Sequence, residues 1–163
     1  MRKFALIALV LVLASCGGGG DRDGDARAGV SRGLYPGETP QLRRMINRSA
    51  AEHGIPAALL HRVIQRESDY RPNARNGPYW GMMQILPQTA GTMGHRGPPQ
   101  ELLDPEVNLR YAGRYLRGAW IVADGDIDEA VQWYARGYYY EARDRCLLVE
   151  TGLARREVNR RCR

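Results

Sequence analysis

The chain has 163 residues, of which 44% are hydrophobic and 26% are charged. This length suits one domain of ordinary size, and the composition excludes a chain that is disordered throughout. The 24 Lys and Arg residues outnumber the 18 Asp and Glu residues and give a net charge of +6. This charge favours an anionic partner, such as nucleic acid, lipid headgroups or an acidic cell-wall polymer.

The start of the chain has the pattern of an export signal. Two basic residues precede an apolar run over residues 4–13, which is shorter than the about 20 residues of a membrane-spanning helix but suits a signal peptide. The run ends in Leu-Ala-Ser followed by Cys16. This ending resembles the bacterial lipobox, which implies that residues 1–15 are removed and Cys16 is lipidated. The alternative is an ordinary signal peptide that contains a cysteine. Gly17, where an aspartate would favour inner-membrane retention, favours the outer membrane.

A Gly-rich, charged stretch without an apolar period follows over residues 16–37. Such a composition predicts a flexible tether. We therefore expect a signal peptide over residues 1–15, a lipidated cysteine and tether over 16–37, and a folded domain over 38–163.

The remaining cysteines are Cys146 and Cys162. If Cys16 carries lipid, these two are left to pair with each other. Export brings the chain into an oxidising compartment, where disulfides form and persist. We expect a disulfide between them, and two unpaired thiols are the alternative.

The folded domain has the patterning of a compact, all-α protein. The predicted helix starts are Thr39-Pro40, Pro56, Pro87, Asp104-Pro105 and Asp126. Proline in the first turn and Thr or Asp as the capping residue are typical of helix starts. Residues 138–161 predict one or two further helices, broken near Gly152, and no stretch alternates between apolar and polar residues as a strand would.

Glu67 interrupts the apolar stripe of the second predicted helix. It follows Leu60, Val63 and Ile64 at the position where helical spacing predicts another aliphatic residue. A carboxyl placed there is partly desolvated, which raises its pKa, and a carboxyl protonated near neutral pH can act as a general acid. The alternative is a solvated glutamate at the end of the stripe, or one paired with Arg71.

Four blocks of sequence occur in order from Glu67 onward. They are ESDYRPNA from Glu67, GMMQILPQTA from Gly81, LDPEVNL from Leu103 with a later Tyr-Leu pair, and VQWYARG from Val131. Together they resemble the signatures of the family 1 lytic transglycosylases, over roughly residues 40–140. The resemblance implies an α-helical domain related to goose-type lysozyme.

The resemblance also implies a reaction. Glu67 would protonate the glycosidic oxygen between N-acetylmuramic acid and N-acetylglucosamine, and would then take the proton of the muramic C6 hydroxyl as that oxygen attacks C1. The product is a 1,6-anhydromuramoyl end. No second carboxylate is required, and the sequence offers no convincing one: Asp69 points elsewhere on a helix, and Asp104 suits a helix cap.

By the same resemblance, a set of residues is expected to bind substrate, namely Ser68, Asn76, Met83, Gln84 and Tyr134. Gln84 would contact saccharide, the alternative being a polar residue at a helix end. Tyr134 would hydrogen-bond to Glu67, the alternative being a packed aromatic. For Tyr79 and Trp80 the sequence leaves two roles open: stacking on sugar faces, or packing in the core.

The chain departs from the family pattern at a few positions. Ala135 stands in place of the Asn of a Tyr-Asn pair, Asn76 lies near a usual Ser, and Ala112 replaces a helix Gly. These departures concern the finer contacts with substrate rather than the acid.

The histidines and the Arg-rich C-terminal end bear on metal binding and on partners. The three histidines lack metal-ligand spacing, so neither metal nor cofactor is expected. The Arg-rich end over residues 155–163 would indicate nucleic acid in a cytosolic protein, but behind a lipobox it favours acidic wall peptides, lipid headgroups or a solvated face. We expect a monomeric envelope enzyme, lipid-anchored at the periplasmic face, that acts on peptidoglycan glycan strands without nucleic acid. A peptidoglycan-binding scaffold lipoprotein with little catalysis and a hydrolysing muramidase are the alternatives.

Overall fold

The computed structural model of the chain describes residues 33–162. Its α-helices are α1 (Pro40–His53), α2 (Ala57–Ser68), α3 (Pro87–Thr92), α4 (Pro105–Val122), α5 (Ile127–Arg136) and α6 (Tyr139–Asp144). Two 3-10 helices span Pro99–Leu103 and Arg160–Cys162, and two short strands are β1 (Arg75–Asn76) and β2 (Tyr79–Trp80). The all-α prediction is confirmed. The predicted signal peptide, Cys16 and most of the predicted tether lie outside the described residues.

The predicted capping residues begin the helices as expected. The Thr39 hydroxyl accepts a hydrogen bond from the backbone N–H of Leu42 at 3.2 Å. The Asp104 carboxylate accepts from two N–H groups in the first turn of α4, and Asp126 accepts from the N–H of Glu129 at 2.8 Å. Each cap satisfies backbone donors that a helix start leaves unpaired, which typically contributes about 1 kcal/mol.

Helix α2 is held in the centre of the domain. It packs against α1 and α5, and the long helix α4 packs against both of these neighbours. Leu59, Leu60, Val63 and Ile64 of α2 are all fully buried, and burial of one such side chain stabilises the fold by roughly 1.5–3 kcal/mol. The C-terminal turn of α2 therefore has a rigid position. Between residues 33 and 162, no helix has the length and apolar character needed to cross a bilayer.

The small hairpin between α2 and α3 is absent from the sequence-based prediction. Arg75 pairs with Trp80 and Asn76 pairs with Tyr79 in antiparallel register. Strands of two residues are too short for an alternating pattern to appear in the sequence. Because the hairpin follows α2 directly, it brings residues of the first and second sequence blocks together.

The C-terminal region contains less helix than predicted over residues 138–161. Helix α6 ends at Asp144 rather than near Gly152. Cys146 has a left-handed φ of 60°, and the N–H of Leu147 donates to the carbonyl of Ala142 at 2.7 Å. This closure of the last turn ends the helix, and turns follow until the 3-10 helix.

Cys146 is bonded to Cys162 in the structure, with their Cα atoms 5.5 Å apart. The bond joins the end of α6 to the final 3-10 helix. We expect the exported protein to carry this bond.

Candidate functional site

Glu67 lies in the last turn of α2, partly enclosed. Its side chain is 23% exposed, and its Oε1 is 3.8 Å from Nε of Arg66. Burial raises the pKa of the Glu67 carboxyl, and the nearby charge of Arg66 opposes this only in part. Arg71, the alternative partner considered from the sequence, instead donates through Nε to the carbonyl of Ser68 at 2.8 Å. Glu67 therefore has the surroundings of a carboxyl that can hold a proton.

A cleft opens beside Glu67. One cavity of about 330 Å³ is lined by Arg66, Glu67, Asn76, Tyr79, Gln84, Tyr134 and Ala135. A second cavity of about 220 Å³ shares the last four of these residues and continues past Tyr115 and Gly137. We call these two cavities together the cleft. Among the described residues that line it, Glu67 is the one carboxyl group, and the expected substrate residues Asn76, Gln84 and Tyr134 meet there.

Gln84 is held in an uncommon backbone conformation. Its φ is 48°, and its side-chain amide donates to the carbonyls of Gly81 at 2.7 Å and Ala74 at 3.1 Å. These bonds orient the amide and use both of its N–H groups. The side-chain oxygen is then the atom of Gln84 available to accept a hydrogen bond from a sugar hydroxyl.

Tyr134 makes a different hydrogen bond from the one predicted. Its hydroxyl donates to the carbonyl of Met83 at 2.7 Å, not to Glu67. The ring of Tyr115 packs edge-on against it, with centroids 5.5 Å apart. Burial raises the pKa of Tyr134 well above its ordinary value, and the charge of Glu67 adds to the shift. Tyr134 is thus a neutral wall of the cleft that also fixes the loop carrying Met83.

Ser68 and Met83 require a correction. Ser68 is 2% exposed, and its hydroxyl donates to the carbonyl of Met82 at 2.7 Å. The Met83 side chain is fully buried in the hydrophobic core. Neither side chain is open to a bound ligand, so the predicted role of both in substrate binding is replaced by a role in holding the loop against α2.

The two aromatic residues of β2 have different environments. Tyr79 is 42% exposed and lines the cleft. Trp80 is 9% exposed, and the guanidinium of Arg75 lies 3.5 Å from the centroid of its ring. The question left open by the sequence is resolved in favour of Tyr79 at the cleft and Trp80 in the core.

Asn108 is a positioning residue that the sequence analysis missed. It is fully buried in α4, and its Oδ1 accepts from the N–H of Met83 at 2.8 Å. Its Nδ2 donates to the carbonyls of Trp80 at 3.0 Å and Leu102 at 2.9 Å. These three bonds from one amide tie the loop at Met83 to the end of β2 and to the 3-10 helix at Leu102. A polar amide on the buried face of a predicted helix was the signal in the sequence.

Comparisons with known proteins give one family. The family model described as the transglycosylase SLT domain matches residues 44–144. The peptidoglycan transglycosylase gp16 of Escherichia phage T7 is 34% identical over 98 residues, which are 57% of this chain and 7% of that protein. The membrane-bound lytic murein transglycosylase C of Yersinia pestis (strain Pestoides F) is 32% identical over 80 residues, 44% of this chain and 22% of that protein.

The protein of the same name from Yersinia pseudotuberculosis serotype O:1b (strain IP 31758) is also 32% identical over 80 residues. The chain thus spans less than a quarter of the length of these curated relatives. No solved structure matches the chain.

Proposed function

The chain belongs to the transglycosylase SLT domain family, and from that premise we propose that it cleaves the glycan strands of peptidoglycan as a lytic transglycosylase. The observation that carries the proposal is the position of Glu67. It is the one carboxyl among the described residues of the cleft, and its burial raises its pKa. A reaction that uses one group first as acid and then as base needs such a carboxyl.

The proposed reaction begins with a protonated Glu67. Its proton passes to the glycosidic oxygen, the bond from that oxygen to C1 of the muramic acid breaks, and the carboxylate is left behind. The carboxylate then takes the proton of the muramic C6 hydroxyl while O6 bonds to C1. Glu67 regains its proton, no water is consumed, and a 1,6-anhydromuramoyl end results. Hydrolysis would call for a second carboxylate to activate water or to act as nucleophile.

The sugar contacts are proposed from the cleft walls. The oriented amide of Gln84 leaves its oxygen for a hydroxyl, and the exposed Asn76 amide lies at the same cavity. The half-exposed ring of Tyr79 suits the apolar face of a pyranose. Ala135, a methyl group where the family has an amide, removes one polar contact from this wall.

We also propose that the enzyme acts while anchored to the cell envelope. A lipid on Cys16 would hold it at the periplasmic face, with the outer membrane favoured by Gly17. Stable anchoring takes more than one acyl chain, and lipoprotein cysteines carry several. A tether over residues 16–37 would let a monomeric domain search the wall.

Digestion of purified sacculi tests the activity. The described residues 33–162 form one compact unit, and a fragment of residues 33–163 should release soluble muropeptides. The Glu67→Gln variant should bind sacculi but release fragments at least about 10²-fold more slowly. If the wild-type fragment only co-sediments with sacculi, the scaffold alternative holds and the proposed activity is wrong.

A further inference from the structure

A second groove lies on the other side of the hairpin segment from the cleft. Its cavity of about 720 Å³ is bounded by the start of α1, by residues 70–75 and by Pro105 at the start of α4. This is larger than either cavity of the cleft. The proposed reaction uses none of the residues that line it. We call it the arginine groove.

The walls of the arginine groove are largely apolar, and Thr39, Gln41 and Asn73 are its uncharged polar residues. Its apolar lining includes Leu42 and Met45 of α1, Pro72 and Pro105. Among the described residues that line the groove there is no aspartate or glutamate. A ligand would therefore meet aliphatic surface without any carboxylate to repel a negative charge.

The charged residues of the groove are two arginines, Arg71 and Arg75. Both are exposed, and neither forms an ion pair with a described residue. Arg71 is oriented by its Nε bond to the carbonyl of Ser68, and Arg75 by its position over the ring of Trp80. Each guanidinium is thereby held in place while N–H groups remain for a carboxylate, which arginine binds in a planar, two-bond geometry.

The arginine groove and the cleft share one segment of backbone as a wall. Arg75 lines the groove, and the next residue, Asn76, lines the cleft, as expected for successive side chains of a strand. Ala74 lines the groove, and its carbonyl accepts from the Gln84 amide of the cleft. Residues 74–76 thus separate the groove from the cleft.

We propose that the arginine groove binds the acidic stem peptide of the peptidoglycan strand whose sugars occupy the cleft. The proposal rests on the proposed function, because it assigns to the same enzyme a peptide-bearing strand as its substrate. A stem peptide is short and carries several carboxylates beside alanine methyl groups. The carboxylates match the two arginines, and the methyl groups match the apolar walls.

The test compares two substrates: glycan strands with their peptides, and the same strands after an amidase has removed the peptides. For Arg71→Gln/Arg75→Gln, the preference in kcat/KM for peptide-bearing strands should fall about tenfold relative to the wild type. Arg155→Gln/Arg156→Gln is the matched control, since it removes two exposed charges outside the groove. Its preference should equal that of the wild type.

A binding measurement completes the test. Free tetrapeptide should bind the Glu67→Gln protein, and adding the two groove substitutions should weaken binding at least tenfold. If Arg71→Gln/Arg75→Gln keeps the wild-type preference for peptide-bearing strands and free tetrapeptide does not bind, the proposed peptide site is wrong. The proposed cleavage activity is unaffected by that result. An equal fall in the control pair would overturn it too, because bulk charge would then be the cause. If the wild type binds the peptide but does not cleave strands, the proposed function is wrong, and the groove is still supported as a peptide-binding site.

Discussion

Two glutamates, Glu67 in helix α2 and Glu38 beside it, have opposite surroundings. The Glu38 side chain is fully buried, and its two oxygens accept from Nε and a terminal nitrogen of Arg43 at 2.5 Å each. The backbone N–H of Tyr35 adds a third bond at 3.0 Å. Glu67 is 23% exposed and has one cation at 3.8 Å. The more deeply buried carboxyl is thus the better satisfied one.

The difference in hydrogen bonding reverses the effect of burial. Burial alone would raise the pKa of Glu38, but the hydrogen bonds from Arg43 and from the Tyr35 backbone, with the nearby His61, hold it below its ordinary value. Burial raises the pKa of Glu67 because no comparable donors oppose it. A buried carboxyl with few hydrogen-bond donors around it can hold a proton, whereas one with several donors stays ionised and serves the structure.

The largest expected effect is on activity. Glu67→Gln keeps the shape of the side chain and removes its titrating proton. Because general acid–base catalysis contributes roughly 10²–10⁴-fold, the rate of fragment release from sacculi should fall by at least about 10²-fold. Full activity in this variant would refute the assignment of the acid.

The stability of the same variant is its control. A raised pKa means that ionised Glu67 costs stability at neutral pH, and a neutral amide removes that cost. Glu67→Gln should therefore melt at or above the wild-type temperature at pH 7. The difference should vanish below the ordinary carboxyl pKa of 4.5, where both proteins carry a neutral group. A variant that melts well below the wild type would instead point to a structural role.

Glu38→Ala should have the opposite effects from Glu67→Gln: it should lose stability and keep activity. Removing one partner of a buried ion pair leaves the other uncompensated, which typically costs about 3–5 kcal/mol of unfolding free energy. Denaturant unfolding should show this loss, while the rate per folded molecule stays near that of the wild type. If instead activity is lost and stability kept, the contrast between the two glutamates is wrong.

The pH dependence of stability sharpens this comparison. A lowered pKa at Glu38 means that its contribution is present above pH 4.5 and is lost as pH falls through the folded value. Burial also lowers the pKa of His61 below its ordinary value of 6.5. As the pH falls below 6.5, the unfolded chain therefore binds a proton at this residue before the folded one does, and the protein loses stability already in this range. The difference in unfolding free energy between wild type and Glu38→Ala should shrink below about pH 4.5. A difference that stays constant would contradict the role of ionised Glu38 as a structural anion.

The disulfide should stabilise the fold independently of both glutamates. A bond between Cys146 and Cys162 closes a loop of about 15 residues, worth about 3 kcal/mol in the chain-entropy model. Cys146→Ser/Cys162→Ser should lose about that much without a change in rate per folded molecule. Mass spectrometry of exported protein with and without reductant should find the bond, and free thiols at both positions would refute it.

The smallest expected effect is that of Tyr134→Phe. This change removes the donor to the Met83 carbonyl and keeps the ring against Tyr115. Loss of one hydrogen bond of this kind costs about 1 kcal/mol, visible as a lower midpoint of unfolding. Because the hydroxyl does not bond to Glu67 in the structure, activity should fall far less than in Glu67→Gln. An equal fall would restore the direct bond predicted from the sequence.

Much of the fold could be predicted because local chemistry decides it. Thr39, Asp104 and Asp126 mark helix starts through their own side-chain hydrogen bonds. The end of α6 could not be predicted, since it depends on the left-handed conformation of Cys146, which no residue type in that stretch demands. The two-residue strands were too short to leave a pattern.

The site was predictable where a residue violated the pattern of its helix. Glu67 and Asn108 both place a polar group on an otherwise apolar helix face. The partners of Ser68 and Tyr134 were not predictable, because the carbonyls of Met82 and Met83 that accept from them lie in a loop. Contacts from side chain to loop backbone leave no trace in residue spacing.

The central claim is that Glu67 acts without water, and digestion of sacculi in H2¹⁸O tests it most directly. The product ends should be 1,6-anhydromuramoyl groups, lighter by one water than reducing ends, and should contain no ¹⁸O. Incorporation of ¹⁸O at C1 of the released muramic ends would contradict the claim, and would reassign the protein as a muramidase whose second catalytic group lies outside the cleft.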